Sequence, residues 1–151
     1  MPSGNDKIAV LLPCHNESAA IAGVIRDFAR HLPSARIYVY DNASTDNTAS
    51  VAAEAGAIVR TERRKGKGNV VRRMFADIDA DIYIMASMNP DGFESHQRYN
   101  ARNVDLNRDF PDFTSDNHDT PAGRAIETAA VMALHDQHHF ISAINFHGGT
   151  V

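Results

Sequence analysis

The first 85 residues alternate short apolar runs with stretches of helical spacing. Residues 7–13, Lys-Ile-Ala-Val-Leu-Leu-Pro, form the run expected of a parallel strand buried on both faces. Ile21, Val24, Ile25, Phe28 and Leu32 recur along one helix face, predicting a helix over 17–32. Asn16 and Ser18 are its N-cap candidates, and Pro33 stops it. A second strand is expected at 36–40. The polar turn 41–48 then opens a short helix ending at Gly56. A third strand follows at 57–60. Val70, Val71, Met74 and Phe75 give an apolar face to a helix over 68–77, and 81–85 is a fourth strand.

Beyond residue 86 the pattern changes. Pro90-Asp91-Gly92 signals a turn, and the Asn-, Asp- and Arg-rich stretch 98–111 suits an ordered loop. Thr120 and Pro121 suit the N-cap and first position of a helix with Ile126, Ala130, Val131 and Leu134 as its apolar face. Residues 140–146 predict a strand ending at His147-Gly148-Gly149. Strands alternating with helices imply an α/β fold. The expectation is one three-layer, Rossmann-like domain with a mostly parallel sheet of about five strands. Residues 83–88 would be a central strand shared by the parts 1–85 and 86–151.

Composition narrows the function. At 151 residues there is room for one substantial core, not for two whole enzymes. The net charge of −4 argues against a nucleic-acid partner. Charge is unevenly divided, with +1 over 1–85 and −5 over 86–151. Six of the eight histidines lie in the second part. A single cysteine, Cys14, allows no internal disulfide. No apolar run approaches the roughly 20 residues that cross a bilayer. The expectation is a cytoplasmic protein without a membrane span, whose two open sheet edges leave room for self-association.

Ligands of parallel sheets sit beyond the carboxyl ends of the strands. Three polar motifs fall at those ends: Pro13-Cys14-His15-Asn16-Glu17, Asp41-Asn42-Ala43-Ser44, and Arg63-Arg64-Lys65-Gly66-Lys67-Gly68. Singly, Asp41 and Asn42 suit a turn cap and the basic run suits a solvated face. Together, in this order, they suit a nucleotide diphosphate: an acidic group for base or ribose, and lysines with free N–H groups at a helix start for phosphate.

Residues 7–85 resemble the N-terminal, nucleotide-binding half of inverting family-two glycosyltransferases, which have a GT-A fold. The resemblance is carried by VLLPCHNE, IYVYDNASTDNT, ERRKGKGNVVRRMF and ADIYIM. It implies that Pro13, Asn16 and Glu17 line the nucleoside pocket, that Asp41 contacts the base, and that Lys65 and Lys67 approach ribose or phosphate. The family continues with an Asp-x-Asp pair holding a divalent metal. Here Ser87 and Asn89 stand in those places, and neither supplies negative charge.

Residues 84–149 resemble the central segment of zinc metallocarboxypeptidases, most closely the carboxypeptidase D/E/N branch. The motifs are SMNPDGFE, RYNARNVDLNRDFPD, ETAAVMAL and ISAINFHGG. By resemblance Arg98, Asn107 and Arg108 grip a substrate C-terminal carboxylate, as guanidinium forks can. His147 is implied as one zinc ligand. The family's other two ligands come from a His-x-x-Glu pair, and no histidine here has Glu three residues later. The family's general-base Glu and a substrate-binding Tyr would fall after Val151. His135, His138 and His139 share a helix end, where favourable charge and a solvated surface explain them better than a metal.

The expectation is therefore a chimera, designed, recombined or fused, with two incomplete sites and no catalytic residue. Weak binding of a nucleotide diphosphate or another anion is its expected chemistry. No cofactor is expected, with zinc or manganese held only where the missing ligands come from elsewhere. The alternatives are a glycosyltransferase moving sugar from a nucleotide-diphosphate sugar, and a fragment of a zinc carboxypeptidase.

Overall fold

The computed structural model describes residues 7–111, 120–140 and 142–144. Their elements run β1 (Ile8–Cys14), α1 (Ile21–His31), β2 (Arg36–Asp41), α2 (Thr48–Glu54), β3 (Ile58–Thr61), α3 (Lys67–Asp77), β4 (Ile82–Met85), α4 (Pro90–Ser95), α5 (Leu106–Asp109) and α6 (Ile126–Gln137). The strands form a parallel sheet in the order β3-β2-β1-β4. Val10 stands opposite Ile37 on one side and Ile84 on the other.

Side chains alternate across a strand, so β1 feeds two cores. Ala9 and Leu11 join Tyr38 and Tyr40 beneath Val70, Val71, Met74 and Phe75 of α3. Val10, Leu12 and Cys14 join Ile37 and Val39 against Ile21 and Ile25 of α1 and Ala52 of α2. The α6 helix packs on the first of these faces, through Ala130 and Leu134. Val10, Leu11, Val39, Tyr40, Val70 and Met74 are fully buried, each such side chain contributing about 1.5–3 kcal/mol. The result is helices on both faces of a parallel sheet, the expected α/β class.

Four details depart from expectation. The first helix starts at Ile21 rather than 17, and Ala20 at its N-cap makes no side-chain cap bond. Asn16 Oδ1 accepts from the Thr45 N–H at 2.8 Å, and the Ser18 N–H donates to Asp46. The helix expected from Thr120 starts at Ile126: Gly123, at φ 83°, interrupts it, and the Ala125 N–H donates to Asp109 Oδ2. The Pro-Asp-Gly turn is instead the first turn of α4, where Pro90 needs no hydrogen-bond partner and Asn89 caps the Gly92 N–H at 3.0 Å.

The fourth concerns the fifth strand. Phe140 does not extend alongside β4 but packs on the rings of Tyr83, His135 and His138. Ser142–Ala143–Ile144 form no strand, and Ile144 is 75% exposed. The described sheet therefore has four strands. In it β4 is an edge strand rather than the shared centre, and it ends at Met85 rather than Met88. Among the described residues, no helix is long and apolar enough to cross a membrane.

Candidate functional site

The carboxyl ends of β1, β2 and β3 converge on one polar cluster. Its centre is Asn42, 6% exposed. The Asn42 N–H donates to Cys14 O at the end of β1 (2.8 Å). Its side-chain amide donates to two carbonyls beyond β3, Glu62 O (2.9 Å) and Arg64 O (2.8 Å). Its own carbonyl lies 2.9 Å from His15 Nδ1. One residue thus joins three strand ends.

Asp41, 5% exposed, accepts from the Ser44 N–H at 3.2 Å and from the Ser44 hydroxyl. Between them Ala43 takes φ 54°, a left-handed conformation that a side chain disfavours. The same Ser44 oxygen accepts from the Asn16 N–H at 2.9 Å. Asn16, itself at φ 55°, accepts from the Thr45 N–H and hydroxyl, and the Glu17 N–H donates to the Thr48 hydroxyl at 2.8 Å. Asp46 accepts from the Thr48 N–H at 3.0 Å, and bonds from the Thr48 hydroxyl and then the Ser18 side chain hold its carboxyl well below the usual carboxylate range. The loops after β1 and β2 are therefore laced into one surface.

The basic stretch after β3 is held from within. Glu62, 6% exposed, accepts the Arg64 N–H at 2.7 Å, and its own N–H donates to Asp41 O at 2.9 Å. Arg73 of α3 stands 3.7 Å from Glu62 Oε2 and donates to Thr61 O (2.8 Å) and Asp77 (3.2 Å). Asp77 also accepts from Tyr40 Oη and Arg60, both at 3.0 Å. Burial, then the bond to Asp77, pushes the Tyr40 hydroxyl up to about 12. Gly66, at φ 100°, turns the chain into α3.

The structure brings Pro13, Asn16, Glu17, Asp41 and Lys65 to this end of the sheet, with Asn16 and Lys65 exposed. Lys67 is different. It is the first residue of α3, is 4% exposed and is engaged within the fold. Sequence reading missed Asn42 and Glu62 as organisers of the cluster. Their signal was faint: an amide and a carboxylate at strand ends, indistinguishable from turn formers. A hollow of about 190 Å³ beside Lys7, Arg36 and Asp79 lies at the opposite, amino end of the strands.

Beyond β4 the residues in the Asp-x-Asp places do not fit a divalent metal. Asn89 uses both ends of its amide, accepting from Gly92 N–H and donating to Arg98 O at 3.1 Å. Gly92 is obligatory there, since a Cβ would come within 2.3 Å of the Asn89 amide and 2.7 Å of Gln97 O. Among the described residues no three His, Cys, Asp or Glu side chains group to hold a metal.

The expected carboxylate grip is differently arranged. Arg98 Nε donates to Asp105 Oδ2 at 2.5 Å, and that bond holds the Asp105 carboxyl below its usual range. Asp105 also caps α5 through the Asn107 N–H (3.1 Å). Asn107 and Arg108 are exposed on that four-residue helix. His147 lies outside the described residues. His135, which is exposed, meets Phe140 edge-on, whereas the half-buried His138 stacks on Phe140 and lies 3.2 Å from Tyr83 Oη.

A family model described as glycosyl transferase family 2 matches residues 9–103, and one described as zinc carboxypeptidase matches residues 71–151. The chain belongs to both families. The two matches share 71–103, the stretch that contains β4. The glycosyl transferase part is 64% identical over 78 residues to Protein RfbJ of Shigella flexneri, covering 52% of this chain and 60% of that protein. The carboxypeptidase part is 44% identical over 70 residues to Carboxypeptidase SOL1 of Arabidopsis thaliana, covering 46% of this chain and 14% of that protein. The chain thus spans less than two thirds of either relative. A crystal structure of glucosyl-3-phosphoglycerate synthase from Mycobacterium tuberculosis in complex with uridine diphosphate shares 30% identity, with a TM-score of 0.48. That match covers 54% of this chain and 34% of the other.

Proposed function

We propose that this chain is a natural or engineered chimera that binds a nucleotide diphosphate weakly and catalyses neither parent reaction. The observation carrying this is the contrast at the strand ends. The loops that carry Asn16 and Lys65 meet over the buried Asp41 at one end of the sheet, while Asn89, in an Asp-x-Asp place, is tied into the α4 cap. The acidic group suits a base or ribose, and the exposed Lys65 beside the α3 start suits a phosphate. Without carboxylates at 87 and 89 the diphosphate loses its metal bridge, so affinity is low. A Kd near millimolar, about −4 to −5 kcal/mol, is expected. The carboxypeptidase family's His-x-x-Glu pair is missing from the sequence, which leaves His147 as one zinc ligand where catalytic zinc needs three.

Calorimetric titration with UDP and GDP, with and without manganese, tests the binding. Saturable binding that salt weakens and manganese leaves within about tenfold is expected. Tightening beyond that would mean that another carboxylate holds the metal, and no saturation would remove the nucleotide reading. Assays of sugar-nucleotide turnover and of C-terminal Lys or Arg release should both read zero; turnover in either overturns the catalytic half of the proposal.

A further inference from the structure

We infer that Asn42 is the positioning residue of the basic loop: its side-chain amide clips residues 62–64 to the ends of β1 and β2. The inference rests on the nucleotide reading for its functional consequence, and on geometry alone for the clip.

The hydrogen-bond accounting supports it. Both carbonyls that bracket Arg63, those of Glu62 and Arg64, converge on the single Asn42 Nδ2 at 2.9 and 2.8 Å. The two backbone N–H groups there are satisfied separately, Glu62 N–H by Asp41 O and Arg64 N–H by the Glu62 carboxylate. These four backbone groups of Glu62 and Arg64 are thus all bonded from the inside. The Arg63, Arg64 and Lys65 side chains are left exposed on its outer side. Asn42 is itself fixed, because its N–H is bonded to β1 and its side chain is nearly inaccessible to water. The Asn42 amide is thus the side chain that ties residues 62–64 to the ends of β1 and β2, beside the Glu62 N–H bond to Asp41 O and the Asn69 amide bond to Lys65 O.

Chemistry restricts what can stand there. A side-chain amide supplies two N–H donors on one nitrogen, matching two converging carbonyls. An aspartate has the same shape but only acceptors, so it would place charge against two carbonyl oxygens. Asn42→Asp is thus an isosteric loss of function, and Asn42→Ala is a simple deletion of the clip.

The test uses the full chain. Backbone NMR of Asn42→Ala and Asn42→Asp should show shifted, newly mobile amides at Arg64, Lys65 and Gly66, with those of α1 unchanged. UDP affinity should fall at least tenfold. In Asn42→Asp the loop should reorder as pH falls, since a protonated carboxyl regains one donor; a merely structural defect would not recover in that way. Unchanged loop amides in both variants would overturn the clip, as would undiminished UDP affinity. If wild-type protein does not bind UDP, the nucleotide reading fails and the loop amides alone decide the clip. If Asn42→Ala does not fold, the isosteric Asn42→Asp carries the test.

Discussion

The two halves of this chain bear equally specific family motifs, yet the fold treats them differently. In the first half the motif residues sit where parallel strands end. There the sheet register fixes their backbones to within a hydrogen bond of one another, and Asn42, Asp41 and Glu62 gather into one cluster. In the second half the described polar motif residues from Asn89 to Asp109 lie on α4, α5 and the loop between them. Their polar groups bond to each other: Asn89 to Arg98, Arg98 to Asp105, Asp105 to Asn107. A motif on strand ends keeps its geometry because the core holds it. A motif on loops settles into whatever pairing the local chain offers.

A substitution in the shared core tests whether the halves stand or fall together. Leu134 of α6 is 6% exposed in the same core as Leu11 and Met74. Leu134→Asp should bury an unpaired charge and cost about 3–5 kcal/mol. If the two parts form one unit, hydrogen exchange should quicken in β1 and β2 as well as in α6, and melting should be a single transition. Exchange that quickens in α6 alone would make the second part a separable attachment.

A smaller effect should sharpen the seam. A Cβ on Gly68 of α3 would meet Glu127 Oε1 of α6 at 2.6 Å. Glu127 is 4% exposed and is held by the Asn100 amide at 3.2 Å, so its carboxyl has little room to move. Gly68→Ala should therefore cost about 1–2 kcal/mol by overpacking, despite the better helix propensity of alanine. In a Glu127→Ala background the same change should be neutral or stabilising. Denaturant midpoints of the four proteins give the cycle.

The third effect is a pH dependence. Burial pushes the Glu127 carboxyl above its ordinary value of 4.5, so the folded state holds its proton more tightly than the unfolded chain. The sign follows: this contribution is present below 4.5 and is lost as pH rises through the folded value. Glu127→Gln should flatten the fall in melting temperature just above that pH. An unchanged profile would show that Glu127 ionises freely.

Least of all should be Arg98→Ala. Its ion pair with Asp105 is well formed, but the guanidinium is 39% exposed, so loss should stay within about 1 kcal/mol in thermal melts. A larger loss would mean that the loop of the second half is as firmly built as the strand ends of the first.

These contrasts show where the sequence was legible. The first four strands and the helices between them were read from apolar periodicity, which depends only on which side chains face the core. The strand-end motifs were placed correctly because a parallel sheet delivers them there. The first helix begins at Ile21 rather than 17, and the helix expected from Thr120 begins at Ile126, where a distant residue, Asp109, accepts the Ala125 N–H. Of the strand expected over 140–146, residues 141, 145 and 146 lie outside the described residues, while Phe140 packs on three neighbouring rings and 142–144 form no strand.

By itself, then, the sequence determined the α/β class, the faces of β1 to β4 and the identity of both families, since these reside in local pattern and motif. Only the tertiary structure decided that Asn42 ties three strand ends together, that Lys67 is buried while Lys65 is open, and that Asn89 is a helix cap. Each depends on hydrogen-bond partners or burial supplied by other elements, and periodicity carries no information about which distant carbonyl an amide will find.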